Sequence, residues 1–129
     1  MGIACGDADG DGWLDLYVSH YHRQGNSFFR NRGRLSFVDD TSQMRLLIPS
    51  LPYLGFGCEF LDYDNDGWLD LYVVNGHVLG ANYPDYKMRP QLYGNLKGVA
   101  FEEVTSAAGD YFRGAYLGRG SAACDFDND

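Results

Sequence analysis

Asp7, Asp9, Asp11 and Asp15 place four carboxylates within nine residues and spell D-x-D-x-D-G-x-x-D, with Gly12 at the sixth position. The same spelling returns at Asp62, Asp64, Asp66, Gly67 and Asp70. Carboxylates folded this close together repel unless a counter-charge joins them. A hard cation supplies one. Oxygen donors at alternate positions, a glycine where the chain turns sharply and a backbone carbonyl at position seven, here Trp13 or Trp68, are what a calcium loop requires. Magnesium keeps its waters in a small octahedron and suits so many protein oxygens less well. A softer transition metal would call for cysteine or histidine donors, and the loops hold none. Position four is Gly10 in one copy and Asn65 in the other, both residues that tolerate a left-handed backbone. The competing explanation is an acidic hairpin turn, since Asp, Asn and Gly favour turns on their own; recurrence of every donor position favours the ion.

The helix-flanked calcium loop with a bidentate glutamate at position twelve is excluded, because that position falls on Val18 and Val73 and a strand pattern follows. Asp15 and Asp70, at position nine, would instead close the shell. The chain ends on CDFDND, whose Asp125, Asp127 and Asp129 match the first half of both loops. This third copy lacks its glycine and its position-nine aspartate, so an empty or weak site is expected there, in a piece of a longer protein.

Positioning these loops requires a repeated scaffold, and the sequence contains one. Asp62 lies 55 residues after Asp7, and Asp125 a further 63. NRGRLSFVDDT at Asn31 answers NLKGVAFEEVT at Asn95, and GFGCEFLD at Gly55 answers GRGSAACD at Gly118. The extra length of the second unit falls around Gly76 to Met88, which marks a loop on a fixed scaffold. We read repeats at 1–54 and 55–117 and the start of a third at 118–129. Each repeat holds four short strands: GIACG or GCEFL; WLDLYVS or WLDLYVVN, with Leu14, Leu16 and Val18 alternating against Trp13, Asp15 and Tyr17; NSFFRN or PQLYGN; and LSFVDD or AFEEVT. The fold class predicted is all-β, tandem four-stranded antiparallel blades of a propeller present as a fragment. Helix is expected only as a turn around Thr105 to Ala108, and two prolines argue against it between Ser42 and Leu54.

The totals agree. At 129 residues, with 45% apolar and 16% aromatic content and 17 glycines, the chain has the length and composition of a turn-rich β domain with a real core. No apolar run is long enough to span a bilayer, and Met1 is followed by GIACGDADG rather than by a basic and then hydrophobic leader. A formal charge of -8 argues against a nucleic-acid partner. Outside the three acidic turns, seven acidic residues stand against ten basic ones, so the excess charge resides in the turns. Cys5, Cys58 and Cys124 cannot all pair within one chain and form no C-x-x-C; they are expected to be small buried residues.

GFGCEFLDYDNDGWLDLYVVNG resembles the FG-GAP, or VCBS-type, repeats of integrin α-chain propellers and of many bacterial secreted proteins. RPQLYGNLKGVAFEEVTSAAG followed by GRGSAACDFDND is similar to the segments that precede an ASPIC/UnbV domain. The resemblance implies a seven-bladed propeller with Ca2+ at the blade turns and an extracellular, cell-surface or periplasmic setting. It implies a binding or adhesion scaffold, not an enzyme, whose metal is structural and whose neighbours include the remaining blades. A protein or carbohydrate ligand would then meet the Gly76–Met88 loop, where Tyr83, Tyr86, Lys87 and Arg89 offer contacts. Two alternatives stay open. An enzyme could use His20, His22 and His77 to bind a transition metal, and a lectin-like site could use Trp13 and Trp68, although their place in the loops favours packing between blades.

Overall fold

A computed structural model describes residues 1–124. Eight strands form two separate four-stranded antiparallel sheets, each a simple meander in chain order. The first contains β1 (Ile3–Gly6), β2 (Asp15–Val18), β3 (Ser27–Asn31) and β4 (Phe37–Asp39); the second contains β5 (Gly55–Leu61), β6 (Asp70–Asn75), β7 (Gln91–Asn95) and β8 (Phe101–Glu103). These are the two blades that the repeats predict. The acidic loops join β1 to β2 and β5 to β6, and each is clamped by a matching pair, Gly6 opposite Asp15 and Leu61 opposite Asp70.

The blades stack through a single apolar cluster. Ala4, Ala8, Tyr17, Phe28, Met44 and Leu46 of the first repeat meet Cys58, Leu71, Val73, Tyr93 and Phe101 of the second. At the inner edge β1 approaches β5 so closely that a Cβ at Gly2 would lie 2.6 Å from the Phe56 carbonyl oxygen. Ser19 Oγ links the two strands, accepting from the Gly2 N–H at 2.7 Å and donating to that same carbonyl at 2.7 Å. One repeat further on, the Gly57 N–H donates to the Arg119 carbonyl at 3.1 Å, so the 118–121 segment meets β5 much as β5 meets β1.

Several expectations need correction. The second strand starts at the position-nine aspartate rather than at the tryptophan, because the turn continues through Trp13 and Trp68. Period-two alternation holds in β2, with Asp15 and Tyr17 on the buried side and Leu16 and Val18 half-buried. A short helix, α1 (Leu47–Ser50), forms despite Pro49; the proline sits in the first turn, where its missing N–H has no intrahelical partner to lose. The turn at Thr105–Ala107 is 3-10, and a second one follows at Asp110–Arg113. Cys58 is buried and its thiol is pushed up to about 11 by desolvation, but Cys5 and Cys124 are exposed. Cys5 lies with Trp13, Leu14 and Phe37 on a face of the first blade that no second sheet covers among the described residues. Among the described residues no helix is long and apolar enough to cross a membrane.

Candidate metal centre

In each blade the loop folds so that three carboxylates converge. Asp7, Asp9 and Asp15 offer one oxygen each within 4.8 Å of one another, and Asp62, Asp64 and Asp70 do the same. Backbone geometry creates the convergence. Position four is left-handed, with φ 74° at Gly10 and 58° at Asn65, and position six has φ 89° at Gly12 and 88° at Gly67. A Cβ at either position-six glycine would meet nothing within 4 Å, so glycine is needed there for the backbone conformation and not for space.

The first aspartate of each loop organises the turn. Asp7 accepts from the N–H of Asp11 at 3.1 Å and of Gly12 at 2.9 Å, and Asp62 accepts from Asp66 at 3.1 Å and Gly67 at 2.9 Å. Position nine anchors the loop to the sheet. Asp15 accepts from Ala8 at 3.1 Å and Asn31 at 2.8 Å, and Asp70 from Tyr63 at 2.9 Å and Asn95 at 2.7 Å. Burial pushes both carboxyls above the usual range, and these backbone donors pull them partly back. Position five stays outside each triad: Asp11 and Asp66 accept from the N–H of Trp13 at 2.8 Å and Trp68 at 2.9 Å. Asp125, Asp127 and Asp129 lie outside the described residues.

Sequence reasoning passed over Asn31 and Asn95 as site residues. Their side-chain amides donate to the Leu14 carbonyl at 3.1 Å and the Leu69 carbonyl at 2.8 Å, which hold the exit of each acidic loop. Asn95 also reaches the Ala8 carbonyl of the other blade's loop at 2.8 Å. The signal was present, since both asparagines open the matched segments after the loops. Arg30 was passed over as well. Its guanidinium is buried between Asp9 and Asp40, bonding Asp40 at 2.5 Å.

The two loops repeat the hydrogen bonds of positions one, five and nine, and the sequence pattern behind them has a family. Residues 2–73, over half of the chain, match the FG-GAP-like repeat. The chain belongs to the FG-GAP-like repeat family. The match begins at β1, takes in the whole first blade and ends past the second acidic loop, so both triads fall within it. No curated protein sequence matches the chain.

The other sequence-proposed sites fare differently within this FG-GAP-like scaffold. Trp68 is half-buried, its ring lying against Gly10 and Gly98, which places it between the blades. Trp13 lies over Gly33 but remains 48% exposed. His22 and His77 meet edge to face with ring centroids 5.4 Å apart, whereas His20 Nε2 turns to Ser27 Oγ at 3.1 Å. His77 Nδ1 accepts from the Leu79 N–H at 3.2 Å. The three histidines gather no metal-type cluster among the described residues. In the Gly76–Met88 loop Lys87 is exposed while Tyr83 and Tyr86 are half-buried, and Arg89, just beyond it, is exposed.

The donor chemistry fits a hard divalent cation. Every gathered atom is a carboxylate oxygen, and each triad includes a buried carboxylate that a cation would help to keep ionised.

Proposed function

We propose that this chain forms part of a calcium-stabilised β-propeller that serves outside the cell, on its surface or in the periplasm as a binding or adhesion scaffold rather than as an enzyme. The carrying observation is that one carboxylate triad forms twice, at the same turn of two stacked blades. Asp7, Asp9 and Asp15 would hold one ion and Asp62, Asp64 and Asp70 the other, with the Trp13 and Trp68 carbonyls and Asp11 and Asp66 available to complete the shells. The ion supplies positive charge that neutralises the cluster. The protein's own share is to fix the turn by the backbone bonds to Asp7 and Asp62 and to tie it to the sheet through Asp15 and Asp70.

Partner contacts are assigned to the Gly76–Met88 loop, which exposes Val78, Leu79 and Lys87 and is followed by the exposed Arg89. At ~1 mM free calcium and a loop Kd of ~0.1 mM, each filled site adds about 1.4 kcal/mol of stability. Thermal melts of the full chain in calcium and in chelator test the reading. A rise in Tm with calcium, absent with equal ionic strength of sodium, is expected; identical melts would overturn it.

A further inference from the structure

The two loops share their spelling but differ in what faces the third position. In the first, Asp9 Oδ2 bonds the Arg30 guanidinium, and Asp9 Oδ1 accepts from the Asp11 N–H at 3.2 Å. Both of its oxygens are therefore engaged by the protein's own donors. In the second, Asp64 is exposed and makes no side-chain hydrogen bond among the described residues.

Repeat matching locates the cause. With Asn31 aligned to Asn95, Arg30 corresponds to Gly94 and Asp40 to Val104. The first blade thus holds an Asp9–Arg30–Asp40 chain of charges, half-buried at Asp9 and buried at Arg30 and Asp40, with Arg32 Nη2 3.8 Å from the same Asp40 oxygen. The second has an apolar Gly94–Val104 contact in its place, where a Cβ at Gly94 would lie 3.4 Å from Val104 Cγ1.

We infer that Arg30 acts as a built-in counter-ion that makes the first loop a weak cation site and leaves the second, Asp62–Asp64–Asp70, as the calcium-responsive one. A dication entering the first triad either takes Asp9 from the guanidinium, leaving Arg30 with one carboxylate, or settles beside a guanidinium that repels it. Both routes oppose binding in a half-buried setting where screening is poor. The second triad presents no such charge. Its Asp64 can turn onto an ion without breaking a protein contact.

This inference rests on the metal reading above, and the experiment keeps the two apart. Calcium titrations by calorimetry use the full chain in two forms, D62N with only the first loop intact and D7N with only the second. The second loop is expected to bind at least about tenfold more tightly. Adding R30M and D40V to the D62N chain copies the uncharged arrangement of the second blade and should raise first-loop affinity by about the same factor. Adding G94R to the D7N chain should weaken the second loop, since a Cβ is sterically tolerated there. Circular dichroism establishes folding first, and should the R30M/D40V chain not fold, G94R decides the matter alone. Equal affinities, or affinities unmoved by these substitutions, would overturn the Arg30 assignment while leaving the metal reading standing. Absence of calcium binding in both single-loop chains and in the unmodified chain would overturn both.

Discussion

Asp64 and Asp70 sit six positions apart in one loop, yet they are tied to the fold in opposite ways. Asp70 is buried and accepts a backbone N–H on each oxygen; an asparagine there offers one acceptor and leaves the Tyr63 or Asn95 N–H facing an amide. D70N is therefore expected to cost ~1–3 kcal/mol even in chelator, read by denaturant unfolding. D64N should not lower the chelated protein's Tm, because it removes a charge that bears on Asp70, and should abolish the part of the melting shift that depends on calcium at this loop. The pH dependence follows from the raised Asp15 and Asp70 carboxyls. A carboxyl raised in the fold stabilises the metal-free protein below its unfolded pKa, near ~4, and that contribution is lost as pH rises through the folded value. Cation binding reverses the balance. The Tm difference between calcium and chelator should accordingly widen from pH 5 to pH 7; a constant difference would contradict it. The aspartate spacing was legible because position in a tight turn follows from sequence distance alone. Arg30 was not, because its approach to Asp9 depends on how β3 is registered against β2 and where the preceding loop folds, and neither is local in sequence.

Within a blade, glycines of equal freedom in the sequence carry different burdens. Gly67 has φ 88° and open space around it, so G67A should cost only backbone strain, about 1 kcal/mol. Gly55 opens β5 where a Cβ would sit 2.7 Å from Ser19 Cβ and 3.2 Å from Asn26 Oδ1, so G55A must push the strand away from the first blade. A larger loss is expected, ~1–3 kcal/mol, and denaturant unfolding of the two variants ranks them. The second-blade loop adds a pH-sensitive fastening. His77 is buried and stands against Tyr83, Tyr21 and His22, with ring centroids at 4.2, 5.8 and 5.4 Å. Burial holds its imidazole below the usual pKa, His22 adds to that, and Asp85 opposes it. A histidine lowered in the fold gives stability that is present above its unfolded pKa of about 6.5 and lost as pH falls through the folded value. This contribution opposes that of Asp15 and Asp70, so the comparison with H77Q isolates it: in chelator the unmodified chain should lose more Tm, or gain less, than H77Q on going from pH 7.5 to pH 5.5. Four strands per repeat could be read from alternation and turn residues. The start of β2 and β6 and the helix at Leu47–Ser50 could not, since the first depends on where sheet pairing begins and the second on a proline that only a first helical turn accommodates.

Comparing the two blades shows which surfaces a stacked repeat needs covered. Phe101 of the second blade is 1% exposed beneath the first blade, and its counterpart Phe37 is 38% exposed; Trp68 is half-buried where Trp13 is 48% exposed. Leu14 and Leu35 are 57% and 81% exposed on that same uncovered face, which also carries Cys5. On the far side of the second blade, Tyr72 and Leu92 line a cavity of about 540 Å³ with Tyr111 and Phe112, whereas the matching Tyr17 and Phe28 are buried between the blades. The repeat period in the sequence announced stacking, but only the packed pair reveals which side chains a neighbour must cover. The two outer faces are related as the covered pair is, because one blade's Tyr17–Phe28 side is what the next blade's Phe101 side rests on, although Tyr111 and Phe112 already lie against Tyr72 and would have to give way. Such an interface is heterologous, so copies can add head to tail without closing after two. The chain should therefore associate through these faces in a concentration-dependent way, with mass rising between ~5 and ~200 µM as apolar area is withdrawn from water. Sedimentation velocity measures it. Replacing Leu14 and Phe37 with glutamate places charge on one face only and should return the chain to a monomer across that range. A monomer at the highest concentration without any substitution would show that these faces do not find each other.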